Sequence, residues 1–276
     1  MRWVHHHTIG STNDAAAAEA AQWTRDHAEP VVVSADIQTL GRGRRGRAWA
    51  SPPGGAYFSL AWPAADEPRG PNIAPLLAGL ALREAVADSA GITPDRLQLK
   101  WPNDVLCDGR KLAGVLCEST FNGGAASAVR ALVIGVGINV ATPAQALGPC
   151  RLPATSILEA GGTHADPAEI ARRCVDALAA RLAHGTARLT PDDHTTLNAA
   201  LAFRGQPVAF DPANQRRQGD VIDVDPLGKL RLRTHDGTIQ PLDSGEVDAL
   251  APLAPLNAPT SKPPQTLAPA NPEATP

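Results

Sequence analysis

Apolar positions fall along this chain in two rhythms, and each rhythm predicts its own kind of element. Val31-Val32-Val33 running into Ala35, Ala56–Trp62, and Leu97-Gln98-Leu99-Lys100-Trp101 are short β-branched, aromatic or alternating runs, which predict strands. Ala131–Val140 is almost unbroken in its apolar character and predicts a buried central strand. Its glycines, Gly135 and Gly137, mark places where a ligand or another backbone comes close. Val105-Leu106-Cys107 and Lys111–Glu118 flank Asp108-Gly109, the turn of a hairpin.

The helical rhythm starts at Ser11-Thr12-Asn13-Asp14, which precedes an alanine-rich run; Ser11-x-x-Asp14 has the form of a capping box. Further helices are predicted from Ile73 to Ser89, ended by Gly91, and from Pro167 to Ala183, entered through Asp166 and left at Gly185. A shorter one starts at Pro191. Between these lie surface connections, Asp66 to Asn72 among them.

Near Gly205 the pattern changes to short strands, Pro207–Phe210, Asp220–Val224, Leu230–Arg233 and Thr238–Leu242, set off by turns at Pro226-Leu227-Gly228 and Asp236-Gly237. This predicts a small β-barrel-like unit of SH3 size. After Leu250, Pro, Ala and Thr dominate, and a disordered tail is expected. The reading divides the chain into 1–204, 205–250 and 251–276.

Composition narrows the picture. With 43% hydrophobic residues in 276, a sizeable core is possible, and the scarcity of aromatics leaves Ala, Leu and Val to build it. Cys107, Cys117, Cys150 and Cys174 lack the spacing of a zinc site or a redox pair, so free thiols are expected. His5-His6-His7 cannot all face one ion from a strand, and no metal site is expected. No signal peptide and no membrane-length apolar run is present, which predicts a cytoplasmic protein. A net charge of −3 argues against a broad nucleic-acid footprint.

Against that acidic background stands Gly41-Arg42-Gly43-Arg44-Arg45-Gly46-Arg47. Unpaired guanidinium groups are too costly to bury, so this is an exposed loop suited to a small anion. Its G-x-G-x-x-G spacing would suit a dinucleotide only if a helix followed; Ser51-Pro52-Pro53-Gly54-Gly55 and a strand follow instead. Ordering seven residues costs on the order of 1–2 kcal/mol each, whereas a charge-assisted hydrogen bond returns roughly 1.5–3 kcal/mol. The loop is therefore expected to be mobile when empty and to close over an anion. Lys100, at a strand end, and Lys111, after the hairpin turn, are candidate phosphate ligands. An ordinary edge charge is the alternative reading of each.

Taken together, four segments resemble the biotin protein ligases: Gly41 to Arg47 with Trp49, Ser51 and Pro52; Lys100-Trp101-Pro102-Asn103-Asp104; Arg110 to Leu116; and Gly135-x-Gly137-Ile138-Asn139-Val140. Ser11-Thr12-Asn13 upstream and the small β unit downstream extend the resemblance from about Val4 to Leu250. It implies an α+β fold with a mixed central β-sheet and flanking helices, of the class II synthetase type, plus an SH3-like C-terminal barrel. It implies activation of biotin by Mg-ATP to biotinyl-5′-AMP, then transfer to a lysine of a biotin carboxyl carrier protein, with ATP, biotin and Mg2+ as cofactors. The family's biotin contacts fall on Ser11, Thr12, Asn13, Gln38, Arg42, Gly43, Arg44 and Lys100. Nucleotide contacts fall on Arg42, Arg44, Arg47, Trp49, Lys100, Asn103, Lys111 and Asn139, with Lys100 and Arg44 catalytic. Trp101 and the Gly135-to-Val140 strand are expected as apolar walls. Some relatives carry an N-terminal DNA-binding domain; here the catalytic part begins almost at Met1, so no DNA binding is expected. A monomer or weak homodimer with no membrane partner completes the expectation. The alternatives are a lipoate–protein ligase of the same fold and a non-catalytic module that binds an anionic metabolite.

Overall fold

The computed structural model describes residues 1–24, 27–64, 70–122, 129–147, 152–163, 166–212, 217–244 and 247–253. The connection from Asp66 to Arg69, Cys150 and nearly all of the expected tail lie outside the described residues. Seven strands make the larger sheet: β1 (Arg2–Ile9), β2 (Val31–Gln38), β3 (Gly55–Ala64), β4 (Leu97–Lys100), β5 (Asp104–Cys107), β6 (Arg110–Asn122) and β7 (Val129–Asn139). Their order is β1-β2-β3-β7-β6-β5-β4, so the long apolar run β7 is the middle strand. Among the described strand pairs of this sheet β1 and β2 alone run parallel, joined by a crossover through α1 (Thr12–Ala20); the sheet is mixed. Asp108 and Gly109 both take positive φ, as the β5–β6 hairpin requires.

Side-chain alternation assigns the two faces. On one, Val32, Phe58, Ile134 and Val136 pack with Leu77 and Leu80 of α2 (Gly70–Ala90) and Leu178 of α3 (Pro167–Leu182). On the other, Val31, Val33, Ala61, Ala131 and Val133 pack under Ala16 and Ala20 of α1. Gly135 and Gly137 continue this second series along β7, so they lie on the α1 face with no side chain of their own. The expected helices are present, with α4 at Pro191–Ala199. Asp166 caps α3, its Oδ1 accepting from Ala168 N at 3.0 Å.

Ser11 is not a side-chain cap: it makes no such hydrogen bond. Gln38 at the end of β2 does that work, its Oε1 accepting from Thr12 N at 2.8 Å. Asp14, the other half of the expected box, pairs with Arg42 instead, at 2.6 Å. A long-range partner displaced the local one.

The C-terminal strands β8 (Pro207–Pro212), β9 (Arg217–Val224), β10 (Leu230–Arg233), β11 (Ile239–Leu242) and β12 (Val247–Pro252) form an antiparallel sheet ordered β11-β10-β9-β8-β12. The last strand is new relative to the sequence reading, hidden by the compositional shift at Leu250. This sheet shares one buried cluster with the larger one, in which Val208, Phe210 and Leu230 join Trp101, Leu197 and Leu201. Trp101 Nε1 donates across the seam to Gly228 O at 3.0 Å.

Candidate functional site

Sheet register builds the floor of the site. Tyr57, Gly137, Gly114, Asp104 and Lys100 are successive cross-strand partners from β3 to β4. Directly opposed residues present their side chains on one face, so this row places Asp104 and Lys100 beside two glycines. The neighbouring row runs Ser59, Gly135, Leu116. Over these rows opens a cavity of about 1000 Å³. Every residue given above as a biotin or nucleotide contact lines it, from Ser11 at one end to Asn139 at the other.

The two β7 glycines have side-chain occupants. A Cβ on Gly135 would lie 2.0 Å from Asn13 Oδ1, and one on Gly137 would lie 2.5 Å from Trp49 Nε1. Asn13 is thereby seated at the start of α1, where backbone N–H groups point outward. Ser59 Oγ donates to its Oδ1 at 2.6 Å, and its Nδ2 donates to Glu118 Oε2 at 2.7 Å. Ser11, Thr12 and Asn13 are all buried. This end is small, polar and tightly partnered, suited to a compact ligand rich in amide groups.

Above it the arginine loop is folded back on itself. Trp49 N donates to Gly41 O at 2.9 Å and Gly43 N to Arg47 O at 2.6 Å, around a single 3₁₀ turn, Arg44–Gly46. The loop was expected to need an anion to gather its charges, and the protein supplies some of its own. Arg42 lies between Asp14 (2.6 Å) and Glu118 (3.0 Å). Arg44 donates to Asn103 Oδ1 at 3.3 Å and to the Ser244 carbonyl of the C-terminal sheet. Asn103 is itself held by β6, donating to Val115 O at 2.8 Å.

At the far end, Asp104 lies between two lysines, with Oδ1 2.7 Å from Lys111 Nζ and Oδ2 3.4 Å from Lys100 Nζ. Burial works against the Asp104 charge, yet the two ammonium groups hold its pKa below the usual carboxylate range. Burial draws the Lys100 pKa below that of an ordinary lysine, with Asp104 opposing. Lys111 also sits over the Trp49 ring, 5.1 Å from its centroid. Asn139 Nδ2 donates to Thr155 O at 3.0 Å, while its buried Oδ1 has no partner among the described residues. Trp101 borders the cavity, but its indole is almost wholly buried and committed to the seam.

Asp104, Glu118, Ser59 and Ser244 were not singled out as site residues by the sequence. Ser59 and Glu118 carry one usable sign, a polar side chain inside an apolar strand. Ser244 acts through its backbone, which no sequence pattern reveals.

Two family models match the chain: the biotin/lipoate A/B protein ligase family over residues 7–139, and the biotin protein ligase C-terminal domain over 204–249. The biotin–[acetyl-CoA-carboxylase] ligase of Paracoccus denitrificans is 33% identical over 230 residues, covering 80% of this chain and 91% of that protein. The enzyme of that name from Mycobacterium tuberculosis is 34% identical over 233 residues, covering 83% and 82%. Among solved structures, the biotin protein ligase of Aquifex aeolicus with biotin and ATP superposes with a TM-score of 0.73 at 25% identity, over 91% of this chain and 99% of that one.

Proposed function

Because this chain belongs to the biotin protein ligase family, we propose that it carries out both half-reactions within the cavity just described. It is an ATP-dependent biotin–protein ligase. A biotin carboxylate oxygen attacks the α-phosphorus of ATP, pyrophosphate leaves, and biotinyl-5′-AMP forms. The amine of a carrier-protein lysine then attacks the acyl carbon; AMP leaves, the amine loses a proton, and an amide remains.

One observation carries the assignment of roles: a single cavity joins a helix start with buried amide partners, an arginine flap and a pair of lysines. In this reading Ser11, Thr12, Asn13 and Gln38 hold the ureido ring. Arg42, Gly43 and Arg44 close over the carboxylate and α-phosphate and exclude water from the mixed anhydride. Lys100 offsets charge growing on the α-phosphate; at 4 Å and an effective dielectric near 20, one ammonium supplies about 4 kcal/mol of raw attraction. Arg47, Trp49, Asn103, Lys111 and Asn139 border the nucleotide, with Asn139 Oδ1 offering an acceptor to an exocyclic amine. Mg2+ enters with the triphosphate. Residues 1–204 form the catalytic part and 205–250 the C-terminal unit, which reaches the cavity through Leu250. The acceptor is a biotin carboxyl carrier protein, and the enzyme works in the cytoplasm as a monomer or weak homodimer.

The test is one incubation of the chain with biotin, Mg-ATP and a carboxyl-carrier fragment, read by mass. The fragment should gain one biotinyl group on a single lysine, and lipoate in place of biotin should leave it unchanged. An unmodified fragment, or one modified only by lipoate, removes the proposal.

A further inference from the structure

The partly buried Lys100–Asp104–Lys111 cluster raises a chemical problem that the proposed reaction does not solve by itself. A lysine amine is the group that consumes biotinyl-AMP, yet two lysines of the enzyme line the cavity in which that acyl group would form. A protonated amine has no lone pair to attack with; a neutral one has. Burial favours the neutral form, and a second like charge on the strand beyond β5 favours it further.

Asp104 is placed to prevent this. It reaches Lys111 at 2.7 Å with one oxygen and Lys100 at 3.4 Å with the other. The charged groups around it are few. From β4 comes Lys100, from β6 Lys111, and from the arginine flap Arg47 and Arg44. Behind it, α2 and α4 contribute Pro75, Leu76, Gly79, Leu197 and the nearby Leu201, none titratable. The C-terminal sheet contributes Leu250 and Ala251. Among the described cavity-lining residues the other carboxylate is Asp14, and it is paired with Arg42 at the opposite end. Asp104 is thus the carboxylate shared by Lys100 and Lys111.

We propose that Asp104 is a positioning residue that holds Lys100 and Lys111 as a pair of phosphate-binding cations and keeps the Lys100 amine from capturing the activated acyl group. The proposal rests on the adenylating function given above. Without this carboxylate the Lys100 ammonium loses the partner that opposes its burial and gives up its proton more readily. That amine attacks the acyl carbon of biotinyl-AMP, AMP departs, a proton is released, and a biotinyl amide is left on the enzyme.

The experiment uses the full chain carrying Asp104→Asn, an isosteric change, with biotin and Mg-ATP and no carrier. Two quantities are followed: initial ATP–pyrophosphate exchange against pH, and biotinylation of each enzyme lysine by peptide mass. The ratio of variant to wild-type exchange should fall at least about tenfold as pH is raised, as the Lys100 proton is lost. Lys100 should become biotinylated in the variant as pH rises, and not in the wild type. A ratio independent of pH, or Lys100 unmodified at the upper pH, overturns the proposal; a merely structural role of Asp104 gives that first result. If Asp104→Asn does not fold, Asp104→Glu and Asp104→Gln replace it, and the same contrast is expected of the Gln form relative to the Glu form. Wild-type enzyme without exchange activity would instead count against the adenylating function.

Discussion

Residue by residue, buried polar groups in this protein gather where a ligand is expected, and their partners explain which of them carry charge. Tyr57 shows how directly such an environment can be read. It is the sole tyrosine of the chain and is buried, its Oη donating to Pro52 O at 2.7 Å at the foot of the arginine loop. Burial pushes its pKa up to about 12. The folded state therefore keeps the phenol proton after the unfolded chain has lost it, near pH 10. Stability from this group is complete below pH 10 and lost as pH rises toward 12. Alkaline titration followed by tyrosinate absorbance should show almost no ionisation at pH 10 in native protein and about half ionisation there in denaturant. A native midpoint near 10 would contradict the packing described. Gly135 makes the complementary case on the cavity floor. In Gly135→Ala the new methyl would meet Asn13 Oδ1 at 2.0 Å, so Asn13 must leave its seat. The KM for biotin should rise at least about tenfold, the loss of one good buried hydrogen bond, while the KM for ATP changes much less. Equal changes in both would mean that Asn13 is not at the biotin end.

Elements are where the sequence was most legible and where its limits are clearest. Strands β2 to β7 and helices α2 to α4 follow from apolar rhythm, prolines and turn glycines, all local signals. The arginine loop is equally visible, because no core accepts so much charge. What local signals could not supply is register: nothing in the sequence says that Lys100, Asp104, Gly114 and Gly137 are cross-strand neighbours, so the lysines appeared as two separate candidates without their shared carboxylate. The failed capping box at Ser11 has the same origin, since Gln38 and Arg42 come from other elements. The loop also acquires long-range tethers, and Arg44 connects it to both Asn103 and Ser244. Arg44→Ala removes both tethers and leaves Arg42 with its two carboxylates. Biotin entry should be little affected, whereas retention of biotinyl-AMP should fall by an order of magnitude or more, consistent with about 1.4 kcal/mol or more lost from closure. Trapping released adenylate with hydroxylamine measures this; leakage at the wild-type rate would release Arg44 from the closing role.

On the scale of the whole molecule, the cavity has walls from both sheets, so its shape depends on how firmly they are joined. The joint is a continuous apolar cluster studded with buried hydrogen bonds, and Asn198 in α4 makes two of these. Its Oδ1 accepts from Val224 N at 2.8 Å and its Nδ2 donates to Val224 O at 3.0 Å, so one side chain copies a strand partner for β9. Asn198→Ala leaves the Val224 N–H without that acceptor, whereas the Val224 carbonyl keeps the contact with His194 Nε2 at 2.9 Å. Orphaning one buried donor costs about 1–3 kcal/mol, a shift of several degrees at most in a chain of this size. Because the apolar cluster spans both sheets, the loss should move a single unfolding transition rather than split off an early one for the C-terminal strands. Calorimetry of wild type and variant decides the point. Two separated transitions in the wild type would mean that the seam transmits little, and that the Ser244 tether on Arg44 is held by the C-terminal sheet's own stability. A single transition, lowered intact by Asn198→Ala, would mean that loosening α4 also loosens the wall against which the arginine flap closes.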